Sequence, residues 1–412
     1  MIRILHTADV HLDSPLKSLA LRDESLRETV EAATRAAFTR IIDIALSERV
    51  TALLIAGDLF DGKQRSARTG AFLIGQLDRL RTADIRVFYI KGNHDAENPI
   101  IGTLDLPDNV HTFDARGGKV KLTEDIWIHG VSFADRHAPE SLLPRFSAPV
   151  EGAINIAVLH TSLTGAVGHD VYAPCSLSDL LSMNFDYWAL GHIHKRHVHA
   201  EVPWVVMPGM PQGRDIGETG TKSASLLTIT DGKIHVEEVQ TSVVEFSTSA
   251  LDITTAENND ALRALIRGHL RTTASTLAST AGVLRLTLTG TPIRHWQILR
   301  DQEYWREQVA ELAREMDCLW MDKLIFDISV PSTTNNGVST ATEELSKTME
   351  TIRGEPGFVI AAQTEVDLML MDLPSTIRAR LLPDEAAAKM LIHKLTKTGS
   401  QQMLARMKGA TS

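Results

Sequence analysis

Short apolar runs alternate with longer segments of helical spacing in the first hundred residues. The apolar runs at 2–8, 51–56 and 85–90 each lead into polar residues, which is typical of buried strands in a parallel sheet. Between these runs, residues 24–48 and 66–82 carry apolar positions at helical spacing. The order strand–helix–strand–helix–strand predicts an open α/β sheet, in which ligands bind at the carboxyl ends of the strands.

From about residue 110 the apolar runs follow one another more closely. They extend from VKL at 120–122 to KIHVEEV at 233–239 and include SASLLTI at 223–229. Because few helical segments separate them, these runs predict a second, mostly antiparallel or mixed sheet that packs on the first. The two sheets would complete one layered domain over residues 1–248.

The rest of the chain predicts a smaller domain and a helical tail. A helix–strand–helix–strand pattern over 249–332 predicts a small α/β domain, with one long helix at 294–316. Residues 333–412 begin as a polar linker and continue as helices interrupted at Pro374 and Pro383. The last predicted helix could pack on its own chain or dock a partner's helix, through an apolar side formed by Ala387, Met390, Leu391 and Leu395.

The composition restricts the function classes. The chain has 412 residues, of which 43% are hydrophobic and 23% charged, as in a soluble globular protein of two or three domains. Only two cysteines are present, which argues against a disulfide framework and against a thiolate metal site. The first residues contain charge and histidine too early for a signal peptide, and no apolar run approaches the ~20 residues of a membrane span. We therefore expect a cytoplasmic protein without a membrane segment.

The net charge of −10 does not indicate nucleic-acid binding by the chain as a whole. Residues 261–300 differ, because they contain six arginines and no aspartate, glutamate or lysine. Arg263, Arg267 and Arg271 follow one another at intervals of four and form one stripe of a predicted helix. The stripe could follow the phosphates of DNA, or it could be a solvated face balanced by the acidic residues from Asp301 onward.

Five stretches with metal-binding side chains each follow an apolar run. They are Asp9-Val10-His11, Gly57-Asp58-Leu59-Phe60-Asp61, Gly92-Asn93-His94-Asp95, a single His160 and Gly191-His192-Ile193-His194. Their oxygen and imidazole donors suit a divalent ion such as Mn, Fe or Zn. Side chains two apart in an extended segment point the same way and can reach one ion, and the glycines allow sharp turns. Five such stretches in this order are hard to explain as polar residues of a core.

The segment ALGHIHKRHVHA contains two histidine pairs. His192 and His194 directly follow a strand and a glycine, whereas His197 and His199 belong to the next predicted strand, at an odd spacing from the first pair. We predict that the first pair joins the cluster and that the second lies on an edge strand. His6, at an odd spacing from the first motif, is predicted to be a hydrogen-bonded histidine of the sheet.

The ordered motifs DVH, GDLFD, GNHD, a later single histidine and GHIH resemble the calcineurin-like metallophosphoesterases. The stretches LHTSLTGAVGHDVYAPCS and PGMPQGRDIGETGTKS are similar, more narrowly, to the SbcD-type DNA repair exonucleases and their YhaO-like branch. RLTLTGTPI and the helix after it resemble the capping domain of that branch. The resemblance covers about residues 1–330 and implies an α/β fold, a layered β-sandwich flanked by helices.

The resemblance implies a site for two divalent ions, Mn first, with Fe, Zn or Mg as alternatives. The implied ligands are Asp9, His11 and His194 for one ion, Asn93, His160 and His192 for the other, and Asp58 as the bridge. His94 would contact the phosphate and protonate the leaving oxygen, and Asp95 would fix the orientation of that imidazole. The ions would clamp a phosphodiester and lower the pKa of the attacking water.

Four further positions are addressed by the resemblance. Arg214 and Lys222, in the loop after GHIH, would hold the substrate. Asp61 stands where some relatives carry a histidine, and it could contact substrate or cap the helix that follows. Met210 stands where a small polar residue is expected.

The implied function is a metal-dependent nuclease at DNA ends, which works as a homodimer with an SbcC-like coiled-coil ATPase in DNA repair. One alternative is a phosphoesterase for a nucleotide or another small phosphate ester, against which the capping domain argues. The other is a non-catalytic subunit that binds DNA ends, against which the complete ligand set argues.

Overall fold

The computed structural model describes the chain except for residues 15–23, 63–65, 99–103, 164–171, 332–340, 375–376, 379–381, 383 and 410–412. The predicted linker and Pro383 lie outside the described residues. The strands are β1 (Ile2–Thr7), β2 (Ala52–Ala56), β3 (Arg86–Ile90), β4 (Val110–Thr112), β5 (Gly118–Thr123), β6 (Ile126–Gly130), β7 (Ile154–His160), β8 (Tyr187–Gly191), β9 (His197–Glu201), β10 (Trp204–Met207), β11 (Ser223–Thr230), β12 (Lys233–Gln240), β13 (Val244–Asp252), β14 (Ala281–Gly290) and β15 (Leu319–Ile328). The helices are α1 (Glu24–Ser47), α2 (Ala67–Thr82), α3 (Asn93–Glu97), α4 (Leu177–Ser182), α5 (Asn259–Thr276), α6 (His295–Arg300), α7 (Gln302–Arg314), α8 (Ala341–Gly354), α9 (Pro356–Met371) and α10 (Glu385–Gly409).

The first sheet has the strand order β12-β11-β1-β2-β3-β4. Strands β1 to β4 pair in parallel, and the helices α1 and α2 provide the connections that parallel neighbours require. The carboxyl ends of these strands therefore lie at one edge of the sheet. The strand–helix–strand–helix–strand prediction is confirmed.

The second sheet has the order β5-β6-β7-β8-β10-β9 and combines parallel and antiparallel pairs. The prediction that SASLLTI and KIHVEEV belong to this sheet was wrong. They form β11 and β12 of the first sheet, where Leu5 of β1 pairs with Leu226 of β11. The pattern of apolar positions reports that a strand is buried but does not identify the strand beside it, so the error could not be seen in the sequence.

The two sheets pack face to face. Ile4 and Phe88 of the first sheet and Ile156 and Ala189 of the second lie in one fully buried layer. The opposite face of the first sheet is covered by α1 and α2, and the opposite face of the second by α4 and loops. The layered α/β fold class expected from the sequence is confirmed.

The chain divides into two compact units. The first comprises Met1–Thr248, Ala274–Leu284 and Cys318–Asp322, and the second comprises Ser249–Thr273, Arg285–Asp317 and Lys323–Ser412. A third sheet has the order β13-β14-β15. The single helix predicted over 294–316 is two helices, α6 and α7, separated at Asp301.

The C-terminal helices belong to the second unit. The helix α10 contacts α6, and its buried residues are Ile392, Leu404 and Ala405. Met390 and Leu395 of the predicted apolar side are 70% and 47% exposed, so the helix does not pack through that side as a whole. Among the described helices, none combines the length and the apolar character that crossing a bilayer requires.

Candidate metal centre

The residues that follow five strands of the first unit converge at one place. Asp9 follows β1, Asp58 follows β2 and Asn93 follows β3. His160 is the last residue of β7, and His192 directly follows β8. All of these side chains except that of His192 are buried, so the carboxyl ends of the strands enclose a dense group of polar atoms.

Several donor atoms of this group lie close enough together to bind the same metal ion. Donor atoms of Asp9, His11 and His194 all lie within 4.8 Å of one another, as do those of Asp58, His160 and His192. The structure thus divides the two histidines of GHIH between two adjoining groups, as the resemblance implied. A third group of the same size contains His11, Asp58 and His94.

The contacts within each of the two groups are close. The Nε2 atoms of His11 and His194 are 3.3 Å apart. Nε2 of His160 lies 3.1 Å from Oδ1 of Asn93 and 3.4 Å from Oδ2 of Asp58. All seven residues predicted to be ligands are therefore brought together, and the ion that each would bind remains a prediction.

The backbone at the cluster adopts conformations that residues other than glycine rarely have. Asp9, His11 and Asp58 have φ angles of 52°, 45° and 51°, and His192 has 103°. Asp9 and His11 are therefore not in an extended segment, and the argument that extended spacing aligns them was wrong. The backbone N–H groups of Asp9 and His11 donate to the carbonyls of Gly57 and Asp58, both at 3.0 Å, which hold this strained turn in place.

Two glycines permit close approach at the cluster. A Cβ atom on Gly191 would lie 2.0 Å from the carbonyl oxygen of Ala56, and one on Gly92 would lie 2.3 Å from Oδ1 of Asp58. Neither glycine needs a positive φ, so they are required for space rather than for the sharp turn that we expected there. At Gly57, whose φ is +92°, the expected turn is present.

Hydrogen bonds determine which imidazole nitrogen faces the cluster. Nδ1 of His160 donates to the carbonyl oxygen of Ala56 at 2.9 Å, and Nδ1 of His194 donates to Oε1 of Glu218 at 2.7 Å. In each neutral ring the lone pair is then on Nε2, which points at other acceptor atoms. Lone pairs that converge in this way fit a cation between them, so the donor set fits divalent ions.

The electrostatics of the cluster also favour a bound cation. Burial alone would raise the pKa of Asp58, but His160 and His11 hold the pKa of this carboxyl well below its usual range. Burial lowers the pKa of His160, but the Asp58 carboxylate, together with Asp9 and the carbonyl of Ala56, raises that pKa to about 9. The buried carboxylate of Asp58 is thus an anion that requires a cationic neighbour.

Comparison with known families gives this site a context. Residues 2–196 match the family model of the calcineurin-like phosphoesterases. Residues 2–196 are therefore similar to a calcineurin-like phosphoesterase domain. Members of this family use a dinuclear centre of divalent metal ions, for which the donor groups described above are suited. Residues 246–329 match a second model, the middle domain of the metallophosphoesterase YhaO.

Three individual proteins are similar to parts of the chain. The chain is 38% identical over 267 residues to a Bacillus subtilis protein described as uncharacterized metallophosphoesterase YhaO, covering 63% of this chain and 65% of that protein. It is 30% identical to the DNA double-strand break repair protein Mre11 of Sulfurisphaera tokodaii, covering 48% of this chain and 50% of that protein. A solved dimetal phosphatase from Danio rerio is 13% identical with a TM-score of 0.39, covering 58% of this chain and 98% of that one. The chain thus spans less than two thirds of the length of both of these curated relatives.

His94 lies at the rim of the phosphoesterase centre. Its backbone N–H donates to Oδ1 of Asp58 at 2.9 Å, and its side chain is 34% exposed. Its Nδ1 atom lies 3.4 Å from Oδ1 of Asp61. The other carboxylate oxygen of Asp61 accepts a hydrogen bond from the Ser14 hydroxyl. The helix α2 is capped by Ser66, so Asp61 is not the helix cap that we considered.

Asp95 has a different environment from the one expected. Its carboxylate accepts hydrogen bonds from the backbone N–H groups of Leu59, Phe60 and Gly92 at 3.0–3.2 Å. Burial and the Asp58 charge raise the pKa of Asp95 to about 7. Asp95 therefore joins the GDLFD and GNHD turns, and the carboxylate beside the His94 imidazole is that of Asp61.

The two predicted substrate contacts have different neighbours. Nη2 of Arg214 lies 3.3 Å from Nδ1 of His194, whereas Nζ of Lys222 donates to the carbonyl oxygen of Thr219 at 2.8 Å. Met210 is buried, and its N–H donates to the carbonyl oxygen of His194 at 3.1 Å, which anchors the loop on the histidine turn.

The arginine stripe lies on α5 in the second unit. Arg263 contacts Asp260 and the hydroxyl of Tyr304, and Arg267 forms an ion pair with Glu315 at 3.2 Å. These contacts agree with the solvated, acid-balanced face, and Arg271 completes the stripe toward the end of the helix.

The other histidines are placed as predicted. His6 is buried, with Nδ1 at 2.9 Å from the Tyr187 hydroxyl and Nε2 donating to the carbonyl of Leu190 at 3.1 Å. His197 and His199 lie on β9, the edge strand of the second sheet.

Glu218 is the residue that the sequence did not identify. It lies in the stretch PGMPQGRDIGETGTKS, which carries the narrower resemblance, but no spacing relates it to the histidines. Burial would raise its pKa, yet His194 and Arg214 together lower that pKa to about 2. Glu218 is therefore an anion at neutral pH, in direct contact with a predicted ligand.

Proposed function

We propose that the chain is a manganese-dependent nuclease that hydrolyses phosphodiester bonds at DNA ends in DNA repair. The observation that carries the proposal is the convergence of seven donor side chains into two adjoining groups, with His94 at their rim. The relatives named Mre11, a DNA double-strand break repair protein, support DNA as the substrate. Mn is proposed because it accepts the mixed carboxylate, amide and imidazole donors of this site.

The side chains have separate tasks in this mechanism. When bound, the two ions would supply positive charge for the phosphate oxygens and a water of lowered pKa. Asp9, His11 and His194 would hold one ion, Asn93, His160 and His192 would hold the other, and Asp58 would bridge both.

His94 would transfer the proton to the leaving group. Since Nδ1 is turned toward Asp61, the Nε2 atom is left to donate a proton to the leaving oxygen. The Asp61 carboxylate would hold the ring in this orientation.

Substrate contacts and partners are part of the same proposal. Arg214, beside His194, would contact a phosphate, and Lys222 and the α5 stripe would add weaker contacts along the DNA. The stripe would have to share its arginines with Glu315 and other neighbours, so we assign it the smaller effect. Residues 249–332 would act as the capping domain.

The C-terminal segment is proposed to bind partners. Ile360, Leu368 and Met369 of α9 and Met390 of α10 are 54–70% exposed, which leaves apolar surface for a helical partner. We propose that an SbcC-like coiled-coil ATPase docks here and that the nuclease works as a homodimer.

A substrate comparison tests the proposal. Purified protein with Mn²⁺ would be assayed on linear duplex DNA, single-stranded DNA and bis-p-nitrophenyl phosphate, with an Asp58→Asn variant as the matched control. We expect release of nucleotides from DNA that depends on both Mn²⁺ and Asp58. Hydrolysis of the small ester alone would instead favour a phosphoesterase for small substrates, and DNA binding without hydrolysis would favour an end-binding subunit.

A further inference from the structure

Glu218 contacts His194 from the loop between β10 and β11. Its Oε1 atom accepts the hydrogen bond from Nδ1 of His194 at 2.7 Å, and its Oε2 atom accepts one from the backbone N–H of Arg214 at 2.8 Å. Nη2 of Arg214 also donates to Oε1 at 3.2 Å. Both oxygens of this carboxylate are therefore engaged, and the side chain is only 18% exposed.

The loop is tied to the histidine turn, which limits the movement of Glu218. Gly209 has a φ of +72°, and a Cβ atom there would lie 2.7 Å from the carbonyl oxygen of His194. The N–H of Met210 donates to that same oxygen at 3.1 Å, and the N–H of Glu218 donates to the carbonyl of Asp215 at 3.0 Å. The carboxylate is thus held against the imidazole by the backbone on both sides of the loop.

One histidine in each of the two adjoining groups is fixed by a different means. A carboxylate can only accept, so Glu218 requires the proton on Nδ1 of His194 and leaves the lone pair of Nε2 for the side of Asp9 and His11. At His160 the same requirement is met by the carbonyl of Ala56, which no side-chain substitution removes. His194 therefore depends on a side chain outside the ligand set, and His160 depends on the backbone.

We infer that Glu218 is a positioning residue of the metal centre that keeps His194 in the form and orientation of an Nε2 donor. Loss of Glu218 should weaken the ion held by Asp9, His11 and His194 and spare the ion held by His160 and its neighbours. The inference rests on the metal-binding part of the proposed function and does not require DNA as the substrate.

Binding of Mn²⁺ to the full chain tests this inference. Wild type, Glu218→Ala and Glu218→Gln would be titrated with Mn²⁺ by calorimetry, with unbound Mn²⁺ followed by electron paramagnetic resonance. Glu238→Gln is the matched control, because Glu238 pairs with Arg196 near the same turn at 3.3 Å and contacts no imidazole in the described structure. We expect two ions in wild type and in the control.

The Glu218 variants should lose affinity for one ion only. Loss of a partner that orients a ligand costs about 10–100-fold in metal affinity, and we expect this for one ion in Glu218→Ala, with a smaller loss in Glu218→Gln. Two unchanged affinities in Glu218→Ala, or an equal loss at both ions, would overturn the inference. Should Glu218→Ala unfold, Glu218→Gln decides in the same way.

The metal titration separates this inference from the nuclease proposal. A wild-type protein that binds two ions, loses one selectively in the Glu218 variants and does not cut DNA would end the nuclease proposal and support the inference. A wild-type protein that binds only one ion would overturn the inference.

Discussion

The two histidine pairs of ALGHIHKRHVHA have the same residues and the same spacing but different surroundings. His192 and His194 follow Gly191, where the backbone bends, and each ring joins a different group of donors. His197 and His199 lie on the edge strand β9, and their rings contact each other with centroids 4.4 Å apart. The same spacing of two residues therefore places the rings in separate groups in one region and against each other in the other.

The backbone accounts for this difference. On β9 the backbone continues as a strand and the rings of the second pair meet one another, although the register against β10 shifts at His199. At the turn after β8, the φ of 103° at His192 sends the first pair apart, toward two adjoining groups. The spacing of two residues alone therefore does not predict a shared ion, because the turn at His192 places its ring and that of His194 in different groups.

The largest expected effect would come from removing a histidine of the first pair. Loss of a partner that orients a ligand costs about 10–100-fold in metal affinity. In His192→Ala we expect a larger loss of Mn²⁺ affinity, with hydrolysis reduced to background. The measurement is Mn²⁺ stoichiometry by calorimetry together with turnover of the best substrate. Retention of two tightly bound ions would remove His192 from the ligand set.

His94→Ala sharpens the comparison within the cluster, since His94 also lies within reach of an ion. We expect two bound ions and a kcat lower by about 10²–10⁴-fold, the usual contribution of a positioned acid. Asp61→Asn should act in the same direction with a smaller loss. Should His94→Ala bind fewer ions than wild type, His94 is a ligand and the acid must be sought elsewhere.

Gly191→Ala tests the close contact between Gly191 and Ala56, which lies directly before the first histidine pair. The added Cβ would lie 2.0 Å from the Ala56 carbonyl oxygen, so β8 and β2 must move apart. Overpacking of this kind costs about 1–3 kcal/mol in the free energy of unfolding, which urea denaturation would measure. The Gly152→Ala variant is a less crowded control, since nothing lies within 4 Å of a Cβ there, although its φ of +75° carries its own strain. Equal stability of Gly191→Ala and wild type would show that the turn has room.

The smallest effect is expected for the second pair. His197→Ala changes an exposed edge residue, so stability should stay within about 0.5 kcal/mol of wild type, and Mn²⁺ binding should not change. The same titration and denaturation experiments apply. A large loss of activity in this variant would remove the distinction between the pairs.

The sequence was sufficient to predict which donor side chains come together, but not which residues contact them. Asp58 and His160 could be found because each ends an apolar run, and strand ends of a layered α/β fold converge. Glu218 and Asp61 could not be assigned, because their contacts arise from loops whose conformation is not written in any spacing. The strained φ angles at Asp9 and His11 were likewise hidden, since sequence patterns describe regular segments.

The arginine stripe shows a second limit of the sequence. Arg267 stands in a segment without acids, yet its partner Glu315 lies 48 positions further along the chain. Local charge patterns therefore overestimate the charge that a surface presents, because folding brings distant acids to them.

The position of β1 in the first sheet has a consequence for biosynthesis. This strand is made before both of its neighbours, β2 and β11, and its Ile2 pairs with Ile229. At roughly 5–20 residues per second, β1 waits on the order of 10–50 s for this neighbour. The first unit also includes Cys318–Asp322, so it closes only after most of the chain has left the ribosome. A chain that stops before Cys318 would carry every predicted ligand and still lack the last segment of the first unit.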